Sequence, residues 1–297
     1  MKKKYPIIAV TGSSGAGTST VKSVFQKIFV REKVKALLIE GDSFHKYDRK
    51  AMQLQIKSAI SERRRPPSHF GPEANLLEDL ELLFATYSYF GHGYHRHYIH
   101  HEAESLVLDA PIGTFTPWEP LPQNSDLLLY EGLHGAFVSE HVNIPRYVDL
   151  LIGVTPTINL EWIQKIHRDT EERGHTHEEV KTTILRRMYD YVHYITPQFS
   201  RTDINFQRVP TIDTSNPFIE RDIPSLDESF VVIHIRKPNL VDFPYLLTML
   251  HGSFMSRPDT IVVPGGKMGM ALELITTPII HQLLQKYACA ENKRDLS

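Results

Sequence analysis

The chain has a single cysteine, Cys289, in 297 residues. One thiol excludes an internal disulfide framework, a dithiol switch and the paired-cysteine clusters of zinc or redox sites, and it fits a reducing compartment. Long apolar runs are also missing. The start MKKKYPIIAVTGSS is basic and then apolar, but residues 7–10 reach glycines too soon to serve as the core of a signal peptide. No other stretch approaches a membrane span, so the expected location is the cytoplasm. Charge of one sign is lacking as well: 33 basic against 35 acidic residues leave a net charge of −2. That balance argues against a nucleic-acid surface, so any affinity for phosphate has to come from local clusters. No G-x-S-x-G nucleophile pattern occurs.

What remains is 41% hydrophobic and 23% charged, ordinary for a globular chain able to bury a core. Buried-strand runs at 6–11, VKALLIEGD, SDLLLYEG and VDLLIGVTP alternate with helical patterns at 18–31, 71–90, NLEWIQKIHRDTEERG and EEVKTTILRRMYDYVHYI, the last ending before Pro197. Short β-like runs FQRVPTID, SFVVIHIR and TIVVPG follow, then a helix over about 269–287. This alternation predicts an α/β fold, a mostly parallel sheet flanked by helices, with β-rich additions in the C-terminal third. Without repeats or linkers, residues 1–297 read as one domain with a core over about 5–285.

One further absence is the most telling. TGSSGAGTST joins the first strand to the first helix and almost matches the phosphate-loop pattern G-x-x-x-x-G-K-[ST]. Gly12, Gly17 and Ser19 fit, but Thr18 stands at the lysine position. Backbone N–H groups of such a turn, with the helix N-terminus behind them, bind anions without a lysine. Gly12, Ser13, Ser14, Gly15, Ala16, Gly17, Thr18, Ser19 and Thr20 are therefore the candidate ATP cradle, with Ser19 placed to ligate Mg²⁺. The competing reading is a tight turn whose glycines serve packing alone.

Two carboxylates follow strands: Asp42 after ALLIEG and Glu131 after DLLLY. Folds of this kind gather reactive groups at strand C-termini, where a carboxylate holds Mg²⁺ or accepts a proton; the competing reading for either one is a cap on the next helix. Lys165, Arg168 and Asp169 share one helix face at i, i+3 and i+4, with Arg173 close behind and Arg186-Arg187 on the next helix. A cationic helix closing over phosphates would replace the absent lysine, although such runs are often solvated ion pairs. In EGDSFHKYDR, His45 and Arg49 follow Asp42 at i+3 and i+7, on one side of a helix over 43–50. Cations beside a candidate base suit a phosphorylated acceptor, and the arginines at 63–65 either assist or form an exposed loop. The histidines of FGHGYHRHYIHH lack helical or finger-type metal spacing, which favours contact with an anion or a subunit over structural zinc.

GSSGAGTST, IEGDSFH, YEGLHG, INLEWIQKIHRD, QFSRTDINFQRVPTIDTSNPF and DFPYLLTMLHGSFMSR together resemble the bacterial-type phosphoribulokinase family, over about residues 5–285. The loop alone is shared with uridine and pantothenate kinases; the INLEWIQKIHRD and TDINFQRVP segments are more specific. The resemblance implies ATP-dependent phosphorylation of D-ribulose 5-phosphate in the Calvin cycle, and a lysine-free loop is normal for the bacterial form. It implies Asp42 as base, Ser19 and Glu131 as Mg²⁺ ligands, and Lys165 at the ATP phosphates with Arg168 and Asp169 beside it. It assigns the sugar phosphate to His45, Arg49 and Arg173. It further implies a homo-oligomer, typically an octamer, activated by NADH and inhibited by AMP, with Arg31, Arg187 and Arg257 in the effector response. His234 stands where that effector region is expected to carry arginine. The cysteine-pair switch of chloroplast members is impossible with Cys289 alone. On residues alone, a kinase of a nucleoside or another sugar phosphate and a non-catalytic nucleotide sensor stay open.

Overall fold

Parallel strands covered on both faces read as near-continuous apolar runs, and the runs of this sequence form the centre of its sheet. The structure, a computed structural model, describes residues 3–13, 16–219 and 222–292. β1 (Ile7–Gly12) leads through the Gly-rich loop into α1 (Thr18–Glu32), then β2 (Ala36–Glu40), a 3-10 turn (Gly41–Phe44), α2 (Arg49–Ser61) and α3 (Leu77–Phe90). A short ladder of β3 (Tyr94–His95) and β4 (Glu119–Pro120) encloses α4 (Glu102–Leu108). β5 (Leu127–Gly132), β6 (Leu150–Val154), α5 (Ile158–Glu171), α6 (His177–Asp190) and α7 (Thr196–Phe199) come next. The chain ends with β7 (Ile204–Pro210), β8 (Ser229–Ile235), α8 (Phe243–Met249), β9 (Phe254–Arg257), β10 (Thr260–Pro264) and α9 (Met268–Asn292).

Eight strands form one mixed sheet in the order β2-β5-β1-β6-β7-β8-β10-β9. From β2 to β7 the neighbours are parallel; from β7 to β9 they are antiparallel. The α/β class and the β-rich C-terminal third are thus as the sequence indicates. Alternate residues of each central strand supply two cores. Ile8, Val10, Leu129 and Ile152 pack with Val21, Phe25 and Ile28 of α1 and with Leu272 and Ile275 of α9. Ile7, Ala9, Leu128 and Tyr130 pack on the other face with Leu80, Phe84 and Tyr87 of α3. Among the described residues no helix is long and apolar enough to cross a membrane.

The structure departs from the sequence expectation in two places that bear on the site. Residues 43–50 are not one helix. The 3-10 turn closes at Phe44, which is buried, His45 is extended and bridges to Asn75, and α2 starts only at Arg49, capped by the Asp48 carboxylate accepting from the Ala51 N–H at 2.7 Å. Long-range pairing to Asn75 overrides the local spacing. The helix of α6 also does not stop before Pro197. A π turn over Tyr191–Ile195 carries it into α7; Pro197 cannot donate back into that turn, where the Val192 carbonyl accepts from the Thr196 hydroxyl at 2.9 Å. The side chain of Gln198 then turns inward, accepting from the Ala136 N–H at 3.1 Å and donating to Leu133 O at 3.0 Å, which ties down the loop after β5.

β2 and β5 end in glycines that nearly touch. A Cβ on Gly132 would lie 2.7 Å from the Cα of Gly41 and 2.6 Å from the Tyr130 hydroxyl. Only two glycines let these ends close while Asp42 and Glu131 project beside them. Gly132→Ala should therefore force the strand ends apart and destabilise the chain by about 1–3 kcal/mol. A shift in the urea midpoint is the check, and an unchanged midpoint would show that the ends relax freely.

Candidate active site

The C-terminal edge of the sheet gathers the Gly-rich loop after β1, Glu131 on β5 and Asp42 after β2. The register sets Glu131 between Val10 of β1 and Glu40 of β2. Asp42 faces imidazoles: its Oδ1 lies 3.1 Å from His45 Nε2 and its Oδ2 lies 3.5 Å from His100 Nε2. Burial would raise its pKa, but His45, His100 and His69 outweigh that and hold the carboxyl well below its usual range. Asn75 fixes the arrangement. Its amide nitrogen donates to His69 O at 2.9 Å and to Gly71 O at 2.6 Å, so its oxygen faces His45 Nδ1 at 2.8 Å and makes that nitrogen a donor. The opposite ring nitrogen of His45, Nε2, is thereby turned toward Asp42 Oδ1. Behind them, His69 stacks on His45 at 3.8 Å, and burial together with His45 pushes its pKa well below the ordinary imidazole value. Burial likewise pushes His134 down to about 4 while its Nε2 lies 2.9 Å from His69 O.

Opposite stands a concentration of positive charge. On α5 the polar stripe Glu161, Lys165 and Asp169 is buried, four residues apart each time, between Leu160, Ile163 and Ile166. Asp169 takes Lys165 on one oxygen; on the other it takes Arg168 at 2.9 and 3.0 Å and Arg173 at 3.2 Å. Arg187 of α6 leans over the Phe70 ring at 5.6 Å, and burial beside Arg186 brings its pKa down to about 10. Burial also lowers Lys165 to about 8, against the pull of Asp169. The Nε atoms of Arg186 and Arg187 are buried without hydrogen-bond partners among the described residues. One carboxylate for this many cations leaves a net positive pocket, which polyphosphate would neutralise. Arg173 lies close enough to Asp42 for their charges to interact, so the two clusters face one cleft.

The third group is acidic. Glu131 is raised by burial and by Asp42 and Glu40, and it is offset by a hydrogen bond from the Thr18 hydroxyl and by Lys22. Lys22 pairs with Glu40. The residue at the lysine position of the loop is therefore bonded to the strand-end carboxylate. Ser14 and Gly15, and the side chain of Ser19, lie outside the described residues. Gly12, Ser13, Ala16 and Gly17 form the turn, with Gly17 at φ 91° before α1 and Thr20 in its first turn.

Not every candidate joins this cleft. Arg49 opens α2 and is exposed, with its backbone N–H bonded to Gly113 O at 2.9 Å. Arg31 is exposed at the end of α1 and pairs with Glu273 of α9 at 2.6 Å. Arg257 is exposed on the edge strand β9, and His234 pairs with Asp259 at 3.4 Å. Of the arginine run, Arg65 binds the buried Asp190, which also accepts from the Ser68 hydroxyl at 2.6 Å, and so fastens the loop carrying His69. His69, which the sequence offers together with the arginine run, joins the site, and Asn75, His134 and Glu161 belong to it without being singled out by the sequence. Only Glu161 had a visible cue, one helical turn before Lys165.

Burial raises Glu161 to about 7, against hydroxyls of Ser13 and Tyr191 (the latter at 3.1 Å) and the charge of Lys165. A carboxyl raised in the folded state contributes stability that is complete below its unfolded value and lost as pH rises through about 7. Glu161→Gln removes that titration. The variant should gain on the parent by about 3 kcal/mol between pH 5 and pH 8. Urea unfolding at the two values reads it, and a pH-independent difference would place the proton elsewhere.

Residues 7–215 match the model of the phosphoribulokinase / uridine kinase family. The chain is similar to the chromosomal phosphoribulokinase of Cupriavidus necator, 57% identical over 96% of this chain and 98% of that protein. It is 58% identical to the phosphoribulokinase of Sinorhizobium medicae, again over 96% of this chain and 98% of the other. The solved phosphoribulokinase from Rhodobacter spheroides superposes with a TM-score of 0.88 at 53% identity, covering 97% of this chain and 100% of that one. Lysine-free loop, strand-end carboxylates and cationic α5 thus come together in a protein that belongs to the phosphoribulokinase / uridine kinase family.

Proposed function

We propose that the protein is a phosphoribulokinase, transferring the γ-phosphoryl group of ATP to a hydroxyl of D-ribulose 5-phosphate to give D-ribulose 1,5-bisphosphate and ADP, a Calvin-cycle reaction. The observation that carries this reading is the group of cations on the side of the cleft facing Asp42: Arg168 and Arg173 share one Asp169 oxygen at 2.9 and 3.2 Å, and the Asp42 charge acts on Arg173. A nucleoside acceptor has no charge for such a cation to meet, whereas a sugar phosphate does.

In this reading Asp42 accepts the proton of the attacking hydroxyl. That oxygen forms a bond to the γ-phosphorus while the bond to the bridging oxygen of ADP breaks. A carboxyl held so low is a weak base. It suits a loose transition state, in which the proton leaves late and orientation matters more than basicity. His45, fixed by Asn75 at 2.8 Å, keeps the Asp42 oxygen aimed. His45, Arg49 and Arg173 receive the sugar phosphate, with Arg49 brought in from the start of α2. Lys165 and Arg168 meet the ATP phosphates over the loop amides of residues 12–20, and Asp169 holds these cations apart. Glu131, raised by burial next to Glu40 and Asp42, fits a hard dication, and with Ser19 it would hold Mg²⁺. When bound, Mg²⁺ neutralises charge on the phosphates. Residues 1–297 act as one kinase domain in a cytoplasmic homo-oligomer, with Arg31, Arg187 and Arg257 as candidate effector contacts for NADH and AMP.

ADP release with Mg-ATP should require ribulose 5-phosphate and be negligible with uridine or without acceptor. Faster turnover on uridine would overturn the assignment. Asp42→Asn should lower kcat at least about a hundredfold while ATP affinity persists. Lys165→Met should lower kcat more than it raises KM, and a near-normal rate in that variant would remove this lysine from the transfer.

A further inference from the structure

Beside the cleft, the chain from Tyr94 to Tyr98 runs antiparallel to the segment ending at Pro120. His95 pairs with Glu119, Tyr98 bridges Phe115, and His97 exchanges bonds of 2.9 Å with Thr116. On extended backbone, residues two apart share a face, and a directly paired residue joins them from the next strand. His95, His97 and Glu119 meet this way. His95 Nε2 lies 3.5 Å and His97 Nε2 3.8 Å from Glu119 Oε1, and the three donor atoms all fall within 4.8 Å of one another.

Tetrahedral Zn²⁺ with nitrogen and oxygen ligands at their usual bond lengths needs donor atoms about 3.3–3.5 Å apart. The cluster is within a few tenths of an ångström of that at both histidine–glutamate distances. Two imidazoles and one carboxylate form a zinc-type set, whereas Mg²⁺ and Ca²⁺ take oxygen. His97 and Glu119 remain open to solvent, and a cavity of about 270 Å³ bordered by His95, His97, Glu40 and Ser43 adjoins them, so an ion has a way in. The scaffold is rigid. Arg96, between the two histidines, donates to Ser43 O at 2.8 Å and His45 O at 2.6 Å and lies over the Phe115 ring at 3.7 Å.

We propose that His95, His97 and Glu119 form a Zn²⁺ site with three protein ligands and one open position, on the hairpin that braces the Asp42 turn. Through Arg96, an ion here stiffens the backbone carrying Asp42 and His45.

The test uses the full chain without nucleotide, in excess Mg²⁺ to occupy the carboxylates of the cleft. Zn²⁺ is titrated against a chromophoric chelator, and Co²⁺ serves as a spectroscopic probe. One equivalent per chain should bind, Co²⁺ should give strong tetrahedral visible bands, and Zn²⁺ should raise Tm. Loss of even an outer partner weakens metal sites about 10–100-fold. Glu119→Gln, an exposed change that leaves the fold intact, should therefore weaken Zn²⁺ at least about tenfold. His95→Asn with His97→Asn should abolish both the bands and the Tm gain. Undiminished binding in these variants, or octahedral Co²⁺ spectra in the parent, would overturn the proposal.

Discussion

Charge buried at the end of a sheet has to be balanced, by the protein or by what it binds. Here the protein balances it only in part on either side of one cleft. Asp169 is the shared counter-charge of Lys165, Arg168 and Arg173, with Arg187 pressed in behind, while Glu40, Asp42 and Glu131 crowd the opposing strand ends. Each group alone is costly, since like charges brought out of water repel in a medium that screens them poorly. A polyphosphate with a dication relieves both at once. The surrounding structure holds these groups in place against their own repulsion. Phe44 in the core, the glycine pair 41 and 132, and Gln198 across the loop after β5 do that work.

The lysine missing from the loop belongs to the same balance. At its position Thr18 gives a hydroxyl to Glu131, and Lys22, one turn further along α1, pairs with Glu40. In the proposed mechanism the positive charge that the loop omits comes instead from α5. The cationic groups are thereby set on a helix rather than on the loop, next to the Arg173 that reaches toward Asp42. Lys165, Arg168 and Arg173 thus lie on adjoining parts of the chain and meet at one carboxylate, Asp169.

Much of this was readable in the sequence wherever local pattern and tertiary need coincide. β1, β5 and β6 are wholly or largely buried, so their apolar runs announce them. Lys165, Arg168 and Asp169 were legible because a single helix brings them together. α2 was not, for only Met52 and Ala59 of its residues are buried and no apolar stripe marks it, though Asp48 carries a capping signal. The 43–50 segment misled because its conformation is dictated from outside, by Asn75 and Arg96. Asn75 and His134 come from separate stretches, and nothing in their own neighbourhoods marks the convergence.

The π turn at Tyr191–Ile195 has a consequence for how this helix tolerates change in length. A π turn holds one residue more than the α-helical path would, and each residue advances a helix by about 100°. That surplus sets the azimuth at which Gln198 arrives, so that its amide meets Ala136 and Leu133. Trimming a single residue there would straighten the coil, yet swing the amide away from the strand-end loop. In this helix regularity and fastening are in opposition, and the molecule retains the irregular form.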